Sequence, residues 1–290
     1  MTETQTPPPA TASPIGNGRL AHGDAPSLAK VTRETRKLPT RLLVHAVQKW
    51  GKSSLAAQAP DPIFVCTRGE DGIDTLIDNN QIPPVAHFPG TMQTFGHVKL
   101  ALHELILQPH DYRTVILDTI NGAVQLAQEG LTDAKYSGDF EKFDAFGRGG
   151  ARLLPSVVEL TNLLDRLREK GMGVILLAHS VVRNMKNPEG LDYPRWEPPL
   201  LKEVQEHLDR WCDAILFGRF DVTVEAKDAK ATRGKASLIS QDRYLMTVNH
   251  PSYSAGNRFG LPDQIECGDS AATAWGNLMG ALKAARQKGG

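Results

Sequence analysis

Leu42-Leu43-Val44-His45-Ala46-Val47-Gln48-Lys49-Trp50-Gly51-Lys52-Ser53-Ser54 passes from an apolar, strand-like run through a tight polar loop into a helix start. That order is the one a phosphate-binding loop needs. Backbone N–H groups of the loop and the helix start cradle phosphate, the lysine reaches the outer phosphates, and the next hydroxyl holds Mg²⁺. The candidate nucleotide-binding stretch is therefore Ala46, Val47, Gln48, Lys49, Trp50, Gly51, Lys52, Ser53 and Ser54, with Lys52 for the phosphates and Ser53 for the metal. The full pattern GxxxxGK[ST] has glycine where Ala46 stands, so the strict motif fails at its first position. If that position needed a positive φ, a Cβ there would cost roughly 1 kcal/mol.

Around this loop, short aliphatic runs alternate with helical periodicity. The runs are Leu42 to His45, Ile63 to Cys66, Thr114 to Leu117, Gly173 to Ala178 and Ala214 to Phe217. Helices are expected over Lys52 to Gln58, Phe95 to Leu107 and Leu153 to Lys170; in the last, Leu153, Val157, Leu160, Leu164 and Leu167 keep three- and four-residue spacing. This pattern predicts an α/β fold, a mostly parallel sheet flanked by helices. After Phe220 the chain turns basic through Lys227, Lys230, Arg233 and Lys235, then gives the short runs Ser237 to Ile239 and Tyr244 to Val248. Those runs predict a small antiparallel C-terminal extension. A final helix is expected over Ala271 to Arg286, capped by Asp269 or Ser270.

Three strand ends carry polar chemistry. Thr114-Val115-Ile116-Leu117-Asp118-Thr119 closes an apolar run in a carboxylate about 65 residues after Ser53, which makes Asp118 the second metal candidate. Its bland alternative is a helix cap, and the two roles can coexist. Phe64-Val65-Cys66-Thr67-Arg68-Gly69-Glu70 brings Glu70 to a strand's carboxyl end, where open α/β sheets bind ligands, as a candidate to polarise the attacking water. Val174-Ile175-Leu176-Leu177-Ala178-His179-Ser180 ends in His179, a candidate sensor of the γ-phosphate.

Composition sets bounds on the rest. At 290 residues the chain has room for one substantial α/β domain, and its 33 basic and 33 acidic residues leave net charge silent about nucleic acid. Cys66, Cys212 and Cys267 lie far apart without CxxC spacing, which argues against a zinc site or a disulfide framework and fits a reducing cytoplasm. No apolar run approaches the roughly 18 residues a bilayer crossing needs. Residues 1–38 are rich in Pro, Thr, Ala and Gly and predict a disordered leader before the domain at 39–290.

Taken in order, Arg68-Gly69-Glu70, Ile116-Leu117-Asp118-Thr119, Leu177-Ala178-His179, Lys186-Asn187-Pro188-Glu189-Gly190, Trp211-Cys212-Asp213 and Asn257-Arg258-Phe259-Gly260-Leu261-Pro262 have a family look. The chain resembles the phage-type RecA-like, AAA-family ATP-binding proteins related to the Sak-four single-strand-annealing recombinases, from about Leu42 to Lys283. The resemblance implies a RecA-like core, Mg²⁺ and ATP at the Lys52 loop, Glu70 activating water, a homo-oligomer, and single-stranded DNA as partner in phage or prophage recombination. Relatives usually carry glycine at the positions of Ala46 and Lys49, though some RecA-like loops tolerate a non-glycine at the second of these, and usually a lysine where Gly256 stands. Loss of that lysine leaves Arg258 as the candidate finger toward a neighbouring subunit's nucleotide, a role worth orders of magnitude in rate. For DNA, Arg183, Lys186, Tyr193, Arg195 and Trp196 supply charge and stacking within one stretch. Two other classes stay open: a nucleotide-binding scaffold with little hydrolysis, and a P-loop phosphotransferase, which should carry an arginine-rich lid that is not visible here.

Overall fold

The computed structural model describes residues 28, 31–33, 37–226 and 234–288, with backbone alone for 222–226, 234–241 and 288. The expected leader lies almost wholly outside the described residues, as does most of the basic loop from Lys227 to Lys235. In chain order the elements are β1 (Arg41–Ala46), α1 (Lys52–Ala56), β2 (Pro62–Cys66), α2 (Gly72–Asp78), β3 (Ala86–His87), α3 (Phe95–Leu107), β4 (Thr114–Asp118) and α4 (Ile120–Tyr136). There follow α5 (Phe140–Phe143), α6 (Gly149–Glu169), β5 (Gly173–His179), β6 (Val181–Met185), β7 (Tyr193–Glu197), α7 (Lys202–Trp211) and β8 (Ala214–Ala226). The chain closes with β9 (Gly234–Met246), β10 (Gly256–Asn257), β11 (Gln264–Glu266) and α8 (Ala271–Lys288).

The main sheet runs β11-β9-β8-β1-β5-β4-β2-β3. From β8 to β3 the pairings are parallel, so those strands all point their carboxyl ends to one edge. Alternation along each strand divides its apolar side chains between two faces. Leu43, Val65, Val115, Leu117, Val174 and Leu176 pack with α3, α4, α6 and α7, whereas Leu42, Val44, Phe64, Ile116, Ile175 and Leu177 pack with α1, α2 and α8. The α6 stripe that periodicity marks, Leu153 to Leu167, is fully buried on the first face.

The antiparallel extension expected on the C-terminal side is present. Its strands are longer than the short runs read from sequence: β8 and β9 are thirteen residues each and pair along their length, and β9 and β11 extend the main sheet itself. A separate hairpin, β6–β7, follows at once on β5. The last helix begins as expected, with Ser270 Oγ accepting from Thr273 N at 3.1 Å. All three cysteines are free and buried.

Candidate active site

β1 ends at Ala46 and the chain turns through Val47–Gly51 into α1. Two residues of this turn take left-handed backbone, Lys49 at φ 59° and Gly51 at φ 105°. Gly51 has no Cβ to object, whereas Lys49 carries a strain of roughly 1 kcal/mol that a glycine there would not. Ala46 shows no such strain: it is the last strand residue, in register with His179 and Gly218, and its φ is not positive. The cost that the missing first glycine would bring therefore does not arise.

The lysine and serine of the loop meet the strand-end acids. Ser53 Oγ donates to Asp118 Oδ2 at 2.7 Å, linking the ends of β1 and β4 across β5. Lys52 is buried, and that burial pushes its ammonium below the usual lysine value against the pull of the Asp118 and Glu70 carboxylates. Burial also pushes the Asp118 carboxyl up, to about 6, with the Ser53 hydrogen bond acting the other way. Asp118 is not the cap of α4; Thr119 is, its Oγ1 accepting from Gly122 N at 3.2 Å, so the Asp118 carboxylate stays available to the loop.

Glu70 and His179 form the other half. Glu70 Oε1 lies 2.6 Å from His179 Nε2 and 3.5 Å from Thr119 Oγ1. The His179 backbone N–H donates to Asn121 Oδ1 at 3.0 Å, which ties the end of β5 to the first turn of α4. His179 Nδ1 is buried with no partner among the described residues. A cavity of about 680 Å³ joins these groups, lined by Gln48, Lys49, Gly51, Lys52, Ser53 and Ser54 from the loop, Glu70, Asp118 and His179 from strand ends, and Ile73 and Leu76 from α2. Its size suits a nucleotide.

A family model described as an AAA domain matches residues 38–259, which takes in the loop and all the strand ends just described. The chain belongs to the AAA-domain family. Comparison with curated proteins returns no match. AAA-domain proteins are nucleotide-binding P-loop ATPases, and the groups present here fit that use. Lys52 would supply a cation for the outer phosphates; Ser53 and Asp118 are oxygen donors of the kind Mg²⁺ takes alongside phosphate and water. Among the described residues no helix is long and apolar enough to cross a membrane.

Three residues of the expected binding stretch do not bring side chains to the AAA-domain cavity. Ala46 is buried against Gly218, Val47 packs into the core, and Trp50 is buried with its indole N–H donating to Arg219 O at 3.0 Å. Only their backbone remains to serve the loop. Arg258 is also elsewhere. It sits at the opposite edge of the sheet, where its guanidinium pairs with Asp213 at 3.5 Å and donates to the Arg210 carbonyl. A trans role at a neighbour's nucleotide would need it to leave both.

Residues that sequence reasoning passed over complete the AAA-domain site. Asn121 orients His179, and Arg243 of β9 lines the cavity. His45, within β1, is wholly buried; its Nε2 lies 2.6 Å from Ser254 O and its Nδ1 2.8 Å from Ser180 Oγ. A carbonyl can only accept, so Nε2 carries the proton and Nδ1 accepts from the hydroxyl. Burial accordingly pushes His45 down to about 4. It links the strand before the loop to the residue after His179. Its only sequence signal was a polar residue inside an apolar strand.

Proposed function

We propose that this chain hydrolyses ATP with Mg²⁺, that Glu70 is the general base, and that the reaction serves DNA recombination on single-stranded DNA. The observation that carries the enzymatic part is the Glu70–His179 contact at 2.6 Å on the same cavity as Lys52 and the Ser53–Asp118 pair. With ATP in the loop, water attacks the γ-phosphorus, the bond to the β–γ bridging oxygen breaks, and the water proton passes to Glu70. His179 orients that carboxylate through Nε2, and Thr119 adds a weaker contact to the same oxygen. Lys52 holds the outer phosphates, and Mg²⁺, when bound at Ser53 and Asp118, neutralises charge that develops on the phosphate oxygens.

The DNA part is supported by the resemblance and by the position of the β6–β7 hairpin. Its first residue, Val181, lies two positions after His179, so the hairpin follows directly on the strand end that carries His179. Val181 and Val182 are exposed, and Arg183 and Tyr193 are half-buried on it. The rest of the expected basic and aromatic set is engaged within the protein. Lys186 pairs with Asp192 at 2.6 Å and Arg195 with Glu197 at 3.5 Å, and Trp196 stacks on Phe217. Arg183 and Tyr193 are therefore the DNA contacts to test. The resemblance also supports assembly into a homo-oligomer.

Phosphate release by the wild type, Glu70→Gln and His179→Ala, each with and without an unlabelled oligonucleotide, tests the reading. Glu70→Gln is expected to lose at least about 100-fold in kcat with ATP binding retained, in line with removal of a general base. Wild-type release should rise with DNA. Release that is unchanged in Glu70→Gln would sink the assignment of the base, and binding without any release would favour the scaffold class.

A further inference from the structure

One cation reaches the cavity from a part of the chain that neither the loop motif nor the strand-end acids include. Arg243 lies on β9 and lines the cavity together with Gly51, Lys52 and Ser54. A Cβ built on Gly51 would stand 2.9 Å from Arg243 Nη1, so the guanidinium rests on the loop backbone at its left-handed residue. The same guanidinium lies over the ring of Phe220, 5.7 Å from its centroid, and Phe220 is the cross-strand partner of Arg243. Stacking of that kind holds the planar group in place without using its N–H donors. Among the described residues the Arg243 side chain has no carboxylate or carbonyl partner. A stacked cation whose donors no described residue takes up therefore stands beside the loop.

Sheet order says which part of the nucleotide it meets. Along β9-β8-β1-β5-β4-β2, Arg243 is on one flank of the loop, and His179, Asp118 and Glu70 are on the other. The reacting γ-phosphate belongs beside Glu70, so the flank of Arg243 is left to the phosphates nearer the nucleoside. We propose that Arg243 is a nucleotide-binding residue acting within its own chain, on the α- and β-phosphates. The assignment rests on the nucleotide-binding reading above. It differs from an arginine finger in its consequence: a group that holds the α- and β-phosphates serves ATP and ADP alike and supports affinity rather than turnover.

Calorimetric titration of ATP and of ADP into wild type, Arg243→Ala, Arg243→Lys and Lys52→Ala, with thermal unfolding of each, tests the assignment. Arg243→Ala is expected to raise both dissociation constants by about tenfold, the size of one lost charge-assisted contact, while their ratio stays within about twofold of wild type. Arg243→Lys should recover part of the loss, since it keeps the charge and gives up the fork. If Arg243→Ala unfolds the protein, Arg243→Gln, which keeps the stem over Phe220, carries the same comparison. A loss confined to ATP would place the group on the γ-phosphate and overturn the proposal, as would wild-type affinity for both nucleotides in Arg243→Ala. A wild type that binds neither nucleotide overturns the nucleotide reading itself and this assignment with it.

Discussion

His45 in β1 and Asp118 at the end of β4 are both deeply buried, and burial drives both toward the neutral form. The consequences for stability have opposite signs. His45, held down to about 4, refuses a proton that the unfolded chain accepts; its contribution is full above its ordinary value of 6.5 and is lost as pH falls toward 4. Asp118, held up at about 6, keeps a proton that the unfolded chain has released; its contribution is full below 3.8 and is lost as pH rises through 6. Each is on the order of 3 kcal/mol, so between pH 4 and 6 the two largely cancel in the wild type. Urea midpoints from pH 7 to pH 4.5 should therefore fall more steeply in Asp118→Asn than in wild type, and less steeply in His45→Gln. Parallel pH profiles for all three proteins would contradict this. Because a protonated carboxyl is a poor Mg²⁺ ligand, Mg²⁺-dependent ATP affinity should also decline below about pH 6.

Between elements, the contact that shapes the loop is made by a glycine. A Cβ on Gly218 of β8 would stand 2.7 Å from the Trp50 ring and 2.8 Å from the Ala46 Cβ, so only a bare backbone lets the loop's tryptophan pack across β8. Gly218→Ala should cost about 1–3 kcal/mol by overpacking and weaken ATP binding at least about threefold, because the loop must shift to make room. Gly256→Ala is the control: nothing stands within 4 Å of its added Cβ, so unfolding and binding should both stay near wild type. The elements legible in the sequence were those with a strong apolar pattern, such as α3, found at Phe95–Leu107 as expected, and α6 with its leucine stripe. The long β8 and β9 were not, since Asp221, Glu225, Lys235 and Asp242 break the apolar runs where the backbone ladder continues. In α7 the signal was present but short: Val204, Leu208 and Trp211 are its buried stripe, set among seven polar neighbours.

At the scale of the whole molecule, strand order decides what meets what. Lys52, Ser53, Asp118, Glu70 and His179 could be read from sequence because each follows an apolar run, and parallel runs bring such ends to one edge. Arg243 could not, because its closeness to Gly51 depends on β9 joining the sheet beyond β8. The same order sets Arg41, Asp213 and Arg258 at the far edge, where Asp213 accepts from Arg41 N at 3.0 Å and pairs with its guanidinium at 2.8 Å. Asp213→Ala leaves the Arg41 charge half-buried without its main partner and should lower stability by about 2–4 kcal/mol in urea unfolding, with ATP affinity unchanged. For the DNA reading, a labelled oligonucleotide should shift with wild type at low salt and lose that shift as salt rises, and Arg183→Glu should weaken it at least about fivefold. An equal shift by Arg183→Glu would remove the hairpin from the interface. Equilibrium titration of ATP with Mg²⁺ into wild type and Lys52→Ala shows whether the altered loop holds nucleotide through Lys52. Saturable binding by the wild type that weakens at least about tenfold in the variant, with unfolding unchanged, is the predicted result; equal affinities, or no binding by the wild type, would contradict it.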